Sequence, residues 1–350
     1  MTRRLIEGPS AWIGADLRQR PSEWIYTPSA AEIEEITAAV ASVQARGLDI
    51  AELTRDAFPL PGFGAKLDTL RQEVLNGRGF VIIRGWPVLA HTIGRNAIAY
   101  CGIGSYFGAM RPQNAAGHLL GHVRDVGAPP ADKHPTVRAY QTNERQMFHT
   151  DGADVVGLIC LRTAKSGGLS SLVSSMSVHN RMVTERPDLA ERLFAPIPFD
   201  RRGEVPAGAL GWYVSPVMFD YAGHLTIHYS RRNINSSQRH PDAPRLTEQD
   251  YEALDHFDSL ANDRDLRLDM ALEPGDMQFL HNNTILHDRT AFEDWPEEDR
   301  KRHLLRLWLA PPDGWELHPD MAGRFGSVTI GDRGGMFIPG ATVHAPLDVV

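Results

Sequence analysis

The first thirty residues are irregular, interrupted by Pro9, Pro21 and Pro28, and helical patterns of apolar residues follow them through the first third of the chain. Beyond about residue 136 the apolar residues gather in short β-branched runs divided by turn residues. Ser29, followed three positions later by Glu32, makes a capping-box start for a helix over residues 30–45, and Gly47 supplies its stop. Further helices are predicted over 67–75 and over about 92–107. Between them, Gly79-Phe80-Val81-Ile82-Ile83-Arg84-Gly85 reads as a buried strand bounded by glycines. Gly127, Pro129, Pro130 and Pro135 mark 117–135 as a loop.

The later runs predict strands over 137–142, 155–161, 169–174, 213–221, 224–229, 277–281 and 304–309. Helical patterns over 178–194 and, after a cap at Thr247, over 248–261 interrupt them. Many short strands with turn signals predict a mainly β fold of the jelly-roll kind, with flanking helices packed outside it. No linker or internal repeat divides the chain, so residues 1–350 are expected to form one domain.

Hydrophobic residues make up 42% and charged residues 23% of the 350, ordinary for a globular protein with room for a sizeable core. Lys and Arg number 36 against 44 Asp and Glu, a net charge of -8. That argues against a general nucleic-acid binder and leaves room for a local basic pocket. Cys101 and Cys160 are the only cysteines, so a disulfide scaffold and a thiolate-rich metal site are both excluded. Any metal must be held by the 15 histidines and the carboxylates. Met1-Thr2-Arg3-Arg4-Leu5-Ile6-Glu7 has no apolar run of signal-peptide length behind it, and no stretch approaches the ~18 apolar residues of a membrane span. A cytoplasmic protein with no membrane partner is expected; homo-oligomerisation is left open.

In a strand, residues two apart share a face. His149 and Asp151 of Phe148-His149-Thr150-Asp151-Gly152 would then offer an imidazole and a carboxylate to one side. That is two thirds of a 2-His-1-carboxylate facial triad, the ligand set of non-haem Fe(II) with open coordination positions. A polar turn after a strand is the alternative. For a third ligand, residues 273–289 hold His281 and His287; Asn282-Asn283 interrupts the run, so strand parity does not choose between them. Further on, Arg302, Leu304, Arg306 and Trp308 share one face of a predicted strand. Arginines turned inward need anionic partners, and a bound carboxylate is one. A solvated basic patch is the alternative, and the apolar residues interleaved with the arginines speak against it. Tyr140, Met147, Tyr213 and Tyr229 are candidates for a pocket wall or for plain core, and Arg231-Arg232 is either a partner for an anionic substrate or, the favoured reading, a surface turn.

Taken in order, His149-x-Asp151, Gly167-Gly168-Leu169-Ser170, Gly275-Asp276, Asn282, His287-Asp288-Arg289, Arg302 and Arg306 resemble the taurine-dioxygenase-like (TauD/TfdA) family. These are Fe(II)- and 2-oxoglutarate-dependent oxygenases. The resemblance spans about residues 78–310, with an irregular and helical part over 1–77 before it and an extension over 311–350 after it. It implies a double-stranded β-helix, a distorted jelly roll. It implies His149, Asp151 and His287 as iron ligands, His287 being favoured over His281 because Asp288-Arg289 follows it. Arg302 would hold the distal carboxylate of 2-oxoglutarate, assisted by Ser170, with Ser171 and Ser174 near enough to compete; Arg306 would face the substrate or the co-substrate. The implied cofactor is Fe(II), with 2-oxoglutarate and O2 as co-substrates. The implied reaction is hydroxylation or desaturation of a small organic molecule, releasing succinate and CO2. Asp151 stands where related halogenases carry a small residue, which favours hydroxylation over halogenation. The long gap between His287 and Arg302, and Arg145 ahead of the first motif, speak against a taurine or sulfonate substrate. Two other readings are a jelly-roll metal-dependent dioxygenase or isomerase that does not use 2-oxoglutarate, and a non-catalytic small-molecule-binding relative. Arg302 and Ser170 argue against the first, and the intact His149, Asp151 and His287 set against the second.

Overall fold

In the computed structural model, which describes residues 3–130, 134, 136–206, 208–336 and 341–348, the first long helix starts where its cap predicts, and the helix expected from residue 67 starts three residues earlier. Met1, Thr2 and Pro135 lie outside the described residues. Helix α1 (Ala30–Arg46) opens with the Glu32 N–H donating to Ser29 Oγ and the Ser29 N–H donating to the Glu32 carboxylate at 2.7 Å; Gly47 closes it at φ 65°. Helix α2 (Gly64–Asn76) leads into strand β1 (Phe80–Ile83), and α3 (Ile93–Gly104) is capped by Thr92. The stretch read as loop over 117–135 contains strand β2 (Leu120–Val123), whose partner lies near the end of the chain.

Strands β3 (Gln146–His149), β4 (Val155–Arg162) and β5 (Ser170–Ser174) follow, then helices α4 (Ser175–Glu185) and α5 (Pro187–Arg192). Two hairpins come next, β6 (Ile197–Asp200) with β7 (Trp212–Ser215) and β8 (Met218–Tyr221) with β9 (His224–Ile227). Helices α6 (Arg231–Ser237) and α7 (Glu248–Ala261) precede β10 (Arg267–Met270), β11 (Met277–His281), β12 (Ile285–Arg289) and β13 (His303–Ala310). The larger sheet runs β1-β11-β4-β13, with β2 also paired on β13; the smaller runs β10-β5-β12-β3. All these pairings are antiparallel.

Alternation along β13 shows how the layers meet. Leu305, Leu307 and Leu309 pack outward against Tyr100, Phe107 and the N-terminal helices. Leu304, Arg306 and Trp308 turn inward, toward the smaller sheet. There Val156, Cys160 and Leu280 meet Leu172, Leu268 and Met270 in a central apolar layer. The outer face of the smaller sheet, with Val173 and Leu286, is covered by Met182, Leu254 and Phe257 of α4 and α7. Each such side chain contributes about 1.5–3 kcal/mol by leaving water. Cys160 is the small buried residue its surroundings suggest, and burial pushes its thiol up to about 12.

Several boundaries differ from expectation for local reasons. Residues 137–142 are not a strand: Ala139–Gln141 is a 3-10 turn, and the Thr142 N–H and Oγ1 both donate back to the Ala139 carbonyl at 3.1 and 3.0 Å. The helix expected over 178–194 is two helices, because Pro187 drives Arg186 out of the helical region (ψ 73°). The strand expected over 213–221 is broken at Pro216 into the two edges of different hairpins.

Candidate metal centre and its cavity

Pairing of β12 with β3 makes His287 and His149 direct cross-strand partners. In an antiparallel pair such residues project from the same face, here into the space between the sheets. Their ring centroids lie 4.2 Å apart. His281 ends β11 in the other sheet, its ring edge-on to Trp315 at 4.7 Å and bonded to Thr284 at 3.3 Å. The structure thus separates the two histidines that strand parity could not.

Asp151 does not share a strand with His149, because β3 ends at His149. Its position comes from Asn282, just past β11. The Asp151 N–H donates to Asn282 Oδ1 at 2.9 Å, and Asn282 Nδ2 donates to the Asp151 and Ala153 carbonyls at 2.5 and 2.8 Å. The Thr150 N–H donates to the Tyr229 carbonyl at 2.8 Å and fixes the turn between the two residues.

His149, Asp151 and His287 offer one ligand atom each, all within 4.8 Å of one another. The Nε2 atoms of His149 and His287 stand 3.7 and 3.9 Å from the two Asp151 carboxylate oxygens. His149 Nδ1 donates to the Met147 carbonyl at 2.8 Å, which leaves Nε2 as the acceptor; Gln146 Nε2 donates to it at 2.9 Å. His287 Nδ1 is buried and has no partner among the described residues. Burial pushes both imidazoles down, His287 to about 3, helped by its neighbour His149, so both are neutral and able to ligate. Burial alone would raise the Asp151 carboxyl. Arg306 and the Trp308 N–H, with the two imidazoles only where these are protonated, hold it instead below the usual carboxylate range. Arg306 Nη1 and Trp308 Nε1 each donate to Asp151 Oδ2 at 3.0 Å. Two neutral imidazoles and one ionised carboxylate fit a divalent iron.

His149 and Asp151 of the triad line a cavity of about 490 Å³ that Arg306, Trp308, Tyr140, Met147 and Tyr213 also line. Tyr229 does not line it: its ring is core, and its hydroxyl donates to Asp258 at 2.6 Å. Arg231 and Arg232 form no surface turn; they begin α6 and face the cavity, because the Ser230 cap turns the chain there. Arg306 Nε donates to Gln113 at 2.7 Å, and its guanidinium lies between the rings of Tyr140 and Trp308 at 4.8 and 5.0 Å. Arg302 does not line this cavity. A register shift separates it from Leu304, and it lines a second cavity of about 110 Å³ with Cys160, Gly168, Leu169 and Leu304. Its Nη1 is buried without a partner, and burial pushes the guanidinium down to about 10. Ser170 shares the inward face of β5 with Leu172. Ser171 points away and donates to Asp269 at 2.6 Å, while Ser174 Oγ donates to the Ser10 carbonyl at 2.5 Å. Arg145, ahead of the motif, pairs with Asp288 at 2.7 Å. The sequence reading passed over Gln113, Arg201 and Arg324, all on the larger cavity and none marked by a local pattern.

The family model for taurine catabolism dioxygenase TauD, TfdA family matches residues 47–308. FR-33289 synthase of Streptomyces rubellomurinus is 31% identical over 314 residues, covering 89% of this chain and 92% of that protein. A taurine hydroxylase-like protein of Stachybotrys chartarum is 29% identical, over 89% of this chain and 82% of that one. Among solved structures, asparagine oxygenase in complex with Fe(II), 3-hydroxyasparagine and succinate superposes with a TM-score of 0.60 at 15% identity, over 82% of this chain and 93% of that one.

Proposed function

The chain belongs to the taurine catabolism dioxygenase TauD/TfdA family and is an Fe(II)- and 2-oxoglutarate-dependent oxygenase using O2, and on that premise we propose that His149, Asp151 and His287 are its iron ligands and Arg302 the anchor of 2-oxoglutarate. The observation that carries the ligand assignment is the cross-strand pairing of His149 with His287, which turns both imidazoles toward one buried carboxylate. Iron bound there supplies the activation of dioxygen that couples decarboxylation of 2-oxoglutarate, to succinate and CO2, with oxidation of a substrate C–H bond. The chain's own residues prepare those ligands. The Met147 carbonyl fixes the His149 tautomer, Arg306 and Trp308 keep Asp151 ionised and aimed, and Asn282 holds its backbone. A desolvated guanidinium with a spare N–H, as in Arg302, is suited to the distal carboxylate of the co-substrate, and Ser170 assists from the inward face of β5. Arg306 acts chiefly as a positioning residue for Asp151 and presents its charge to the substrate.

The two facing sheets are read as the double-stranded β-helix, and residues 1–350 as one domain. The substrate is a small organic molecule, hydroxylated or desaturated in the larger cavity. No helix of the described residues is long and apolar enough to cross a membrane. A cytoplasmic compartment and the absence of a nucleic-acid partner follow from the sparse cysteines and the net charge of -8. Anaerobic Fe(II) titration tests the ligands. The wild type takes about one iron per chain, as one facial triad requires, and His149→Ala and Asp151→Ala take none; unchanged stoichiometry in either variant refutes the assignment. With iron intact, Arg302→Ala raises the 2-oxoglutarate needed for succinate release about 10–100-fold; an unchanged requirement moves the anchor to Arg306.

A further inference from the structure

Besides Arg306, the larger cavity is faced by Arg138, Arg201, Arg202, Arg231, Arg232 and Arg324. Three carboxylates line it, and each is already engaged. Asp151 serves the triad. Asp200 is bound by Arg239 at 2.7 Å, by His240 at 3.2 Å and by Ser236. Glu204 pairs with Arg138. Arg231 is neutralised from behind by Asp255 and Asp258 at 2.7 and 2.9 Å.

Arg201 and Arg324 differ from Arg138, Arg231 and Arg306, each of which has a carboxylate. Among the described residues neither has a carboxylate partner. Arg201 lies over the Tyr213 ring at 4.7 Å and donates to the Gly323 carbonyl at 3.3 Å, which brings it against the turn that carries Arg324. Arg324 Nη1 donates to His228 Nε2 at 3.0 Å, and its Nη2 to the carbonyls of Thr150 and Asp151. Each guanidinium keeps a buried Nε with no acceptor. His228 supplies no charge to balance them: its Nε2 also receives the Tyr213 hydroxyl at 2.9 Å, so the ring is neutral. Among the described residues seven guanidinium groups thus line a cavity with three carboxylates, inside a protein whose total charge is -8.

Cations turned into a concave, partly dry space are costly unless an anion joins them there. Two neighbouring guanidinium forks suit an oxyanion with several acceptor oxygens and more than one negative charge. We infer that Arg201 and Arg324 form a subsite for a phosphoryl dianion, and that the substrate oxidised at the triad is a small phosphate ester or phosphonate. This inference rests on the oxygenase reading and names its substrate class. Arg324 lies beyond residues 47–308, so half of the subsite comes from the C-terminal segment, outside the part of the chain that the family model describes.

The test is calorimetric titration of the protein loaded anaerobically with Fe(II) and 2-oxoglutarate, so that the co-substrate site is filled. The probes are ethyl phosphate, ethylphosphonate, ethanesulfonate and propionate. Ethyl phosphate or ethylphosphonate binds at least about tenfold tighter than the two monoanions, and the tighter of the pair names the source of the dianion. Arg201→Gln and Arg324→Gln each weaken that binding about 10–100-fold, the range expected for a lost charged hydrogen bond. Arg324→Lys restores part of it. Equal binding of all four probes, or dianion affinity unchanged in the Arg201 variant, overturns the inference while iron and 2-oxoglutarate binding stand. Failure of the wild type to bind iron or 2-oxoglutarate overturns the oxygenase reading instead. Arg324 also bonds the turn holding Asp151, so Arg201→Gln, which does not touch that turn, decides the matter if Arg324→Gln loses iron.

Discussion

Arg333 is the buried clasp of the segment that carries Arg324. Its Nε donates to Asp154 Oδ2 at 2.8 Å, its Nη2 to the Trp315 carbonyl at 2.6 Å and its Nη1 to the Val328 carbonyl at 3.1 Å. Both members of the Arg333–Asp154 pair are only 1% exposed. Asp154 also accepts from Asn283 Nδ2 at 3.2 Å, so the clasp ties the C-terminal segment to the strand end beside the triad. Arg333→Met keeps most of the aliphatic volume and leaves the Asp154 carboxylate buried without its cation. Breaking a buried pair from one side costs about 3–5 kcal/mol. At roughly 2 °C per kcal/mol for a chain of this size, the melting temperature falls by about 6–10 °C.

The loss has a pH signature. Burial already raises the Asp154 carboxyl above its usual range, and Arg333 is the group that pulls it back. Without Arg333 the carboxyl rises further. A folded-state pKa raised above the unfolded value favours the folded state only while the group keeps its proton. The deficit of Arg333→Met relative to wild type is therefore small at low pH and deepens as pH rises through the raised value. Urea denaturation at pH 5 and pH 8 measures it, with Asp154→Asn/Arg333→Met as the third protein. The double variant, which buries no charge, recovers much of the loss at pH 8. A deficit below about 1 kcal/mol, or one equal at both pH values, refutes the account of a buried, mutually dependent pair.

Asn282→Ala removes the amide that holds Asp151 and weakens Fe(II) affinity about 10–100-fold in an anaerobic titration, the usual effect of losing a group that orients a metal ligand; unchanged affinity means the turn at Thr150 suffices. His281→Ala leaves iron stoichiometry unchanged and lowers stability by about 2 kcal/mol through its lost contacts with Thr284 and Trp315; loss of iron there would make His281 the ligand.

What was legible in the sequence was what local chemistry decides. Ser29, Glu32 and Gly47 delimit α1, and Thr247 opens a helix that runs over 248–261 as its periodicity indicates. The strands that carry the two histidines were harder. Gln146-Met147-Phe148-His149 and Ile285-Leu286-His287-Asp288-Arg289 are short and mixed in polarity, and they are strands because β12 has β3 on one side and β5 on the other. The His-x-Asp spacing drew attention to two residues that do converge, yet strand parity is not what brings them together. A loop does so, pinned by an amide 131 positions further along the chain. The cavity's charge was hidden for a related reason. A net charge of -8 is a sum over 350 residues, whereas the potential at a site depends on where each charge is held. Arg324 carries no motif and falls within what reads as a C-terminal extension. It lines the cavity nine positions before Arg333, whose buried pair with Asp154 ties the same segment to the strand end beside the triad.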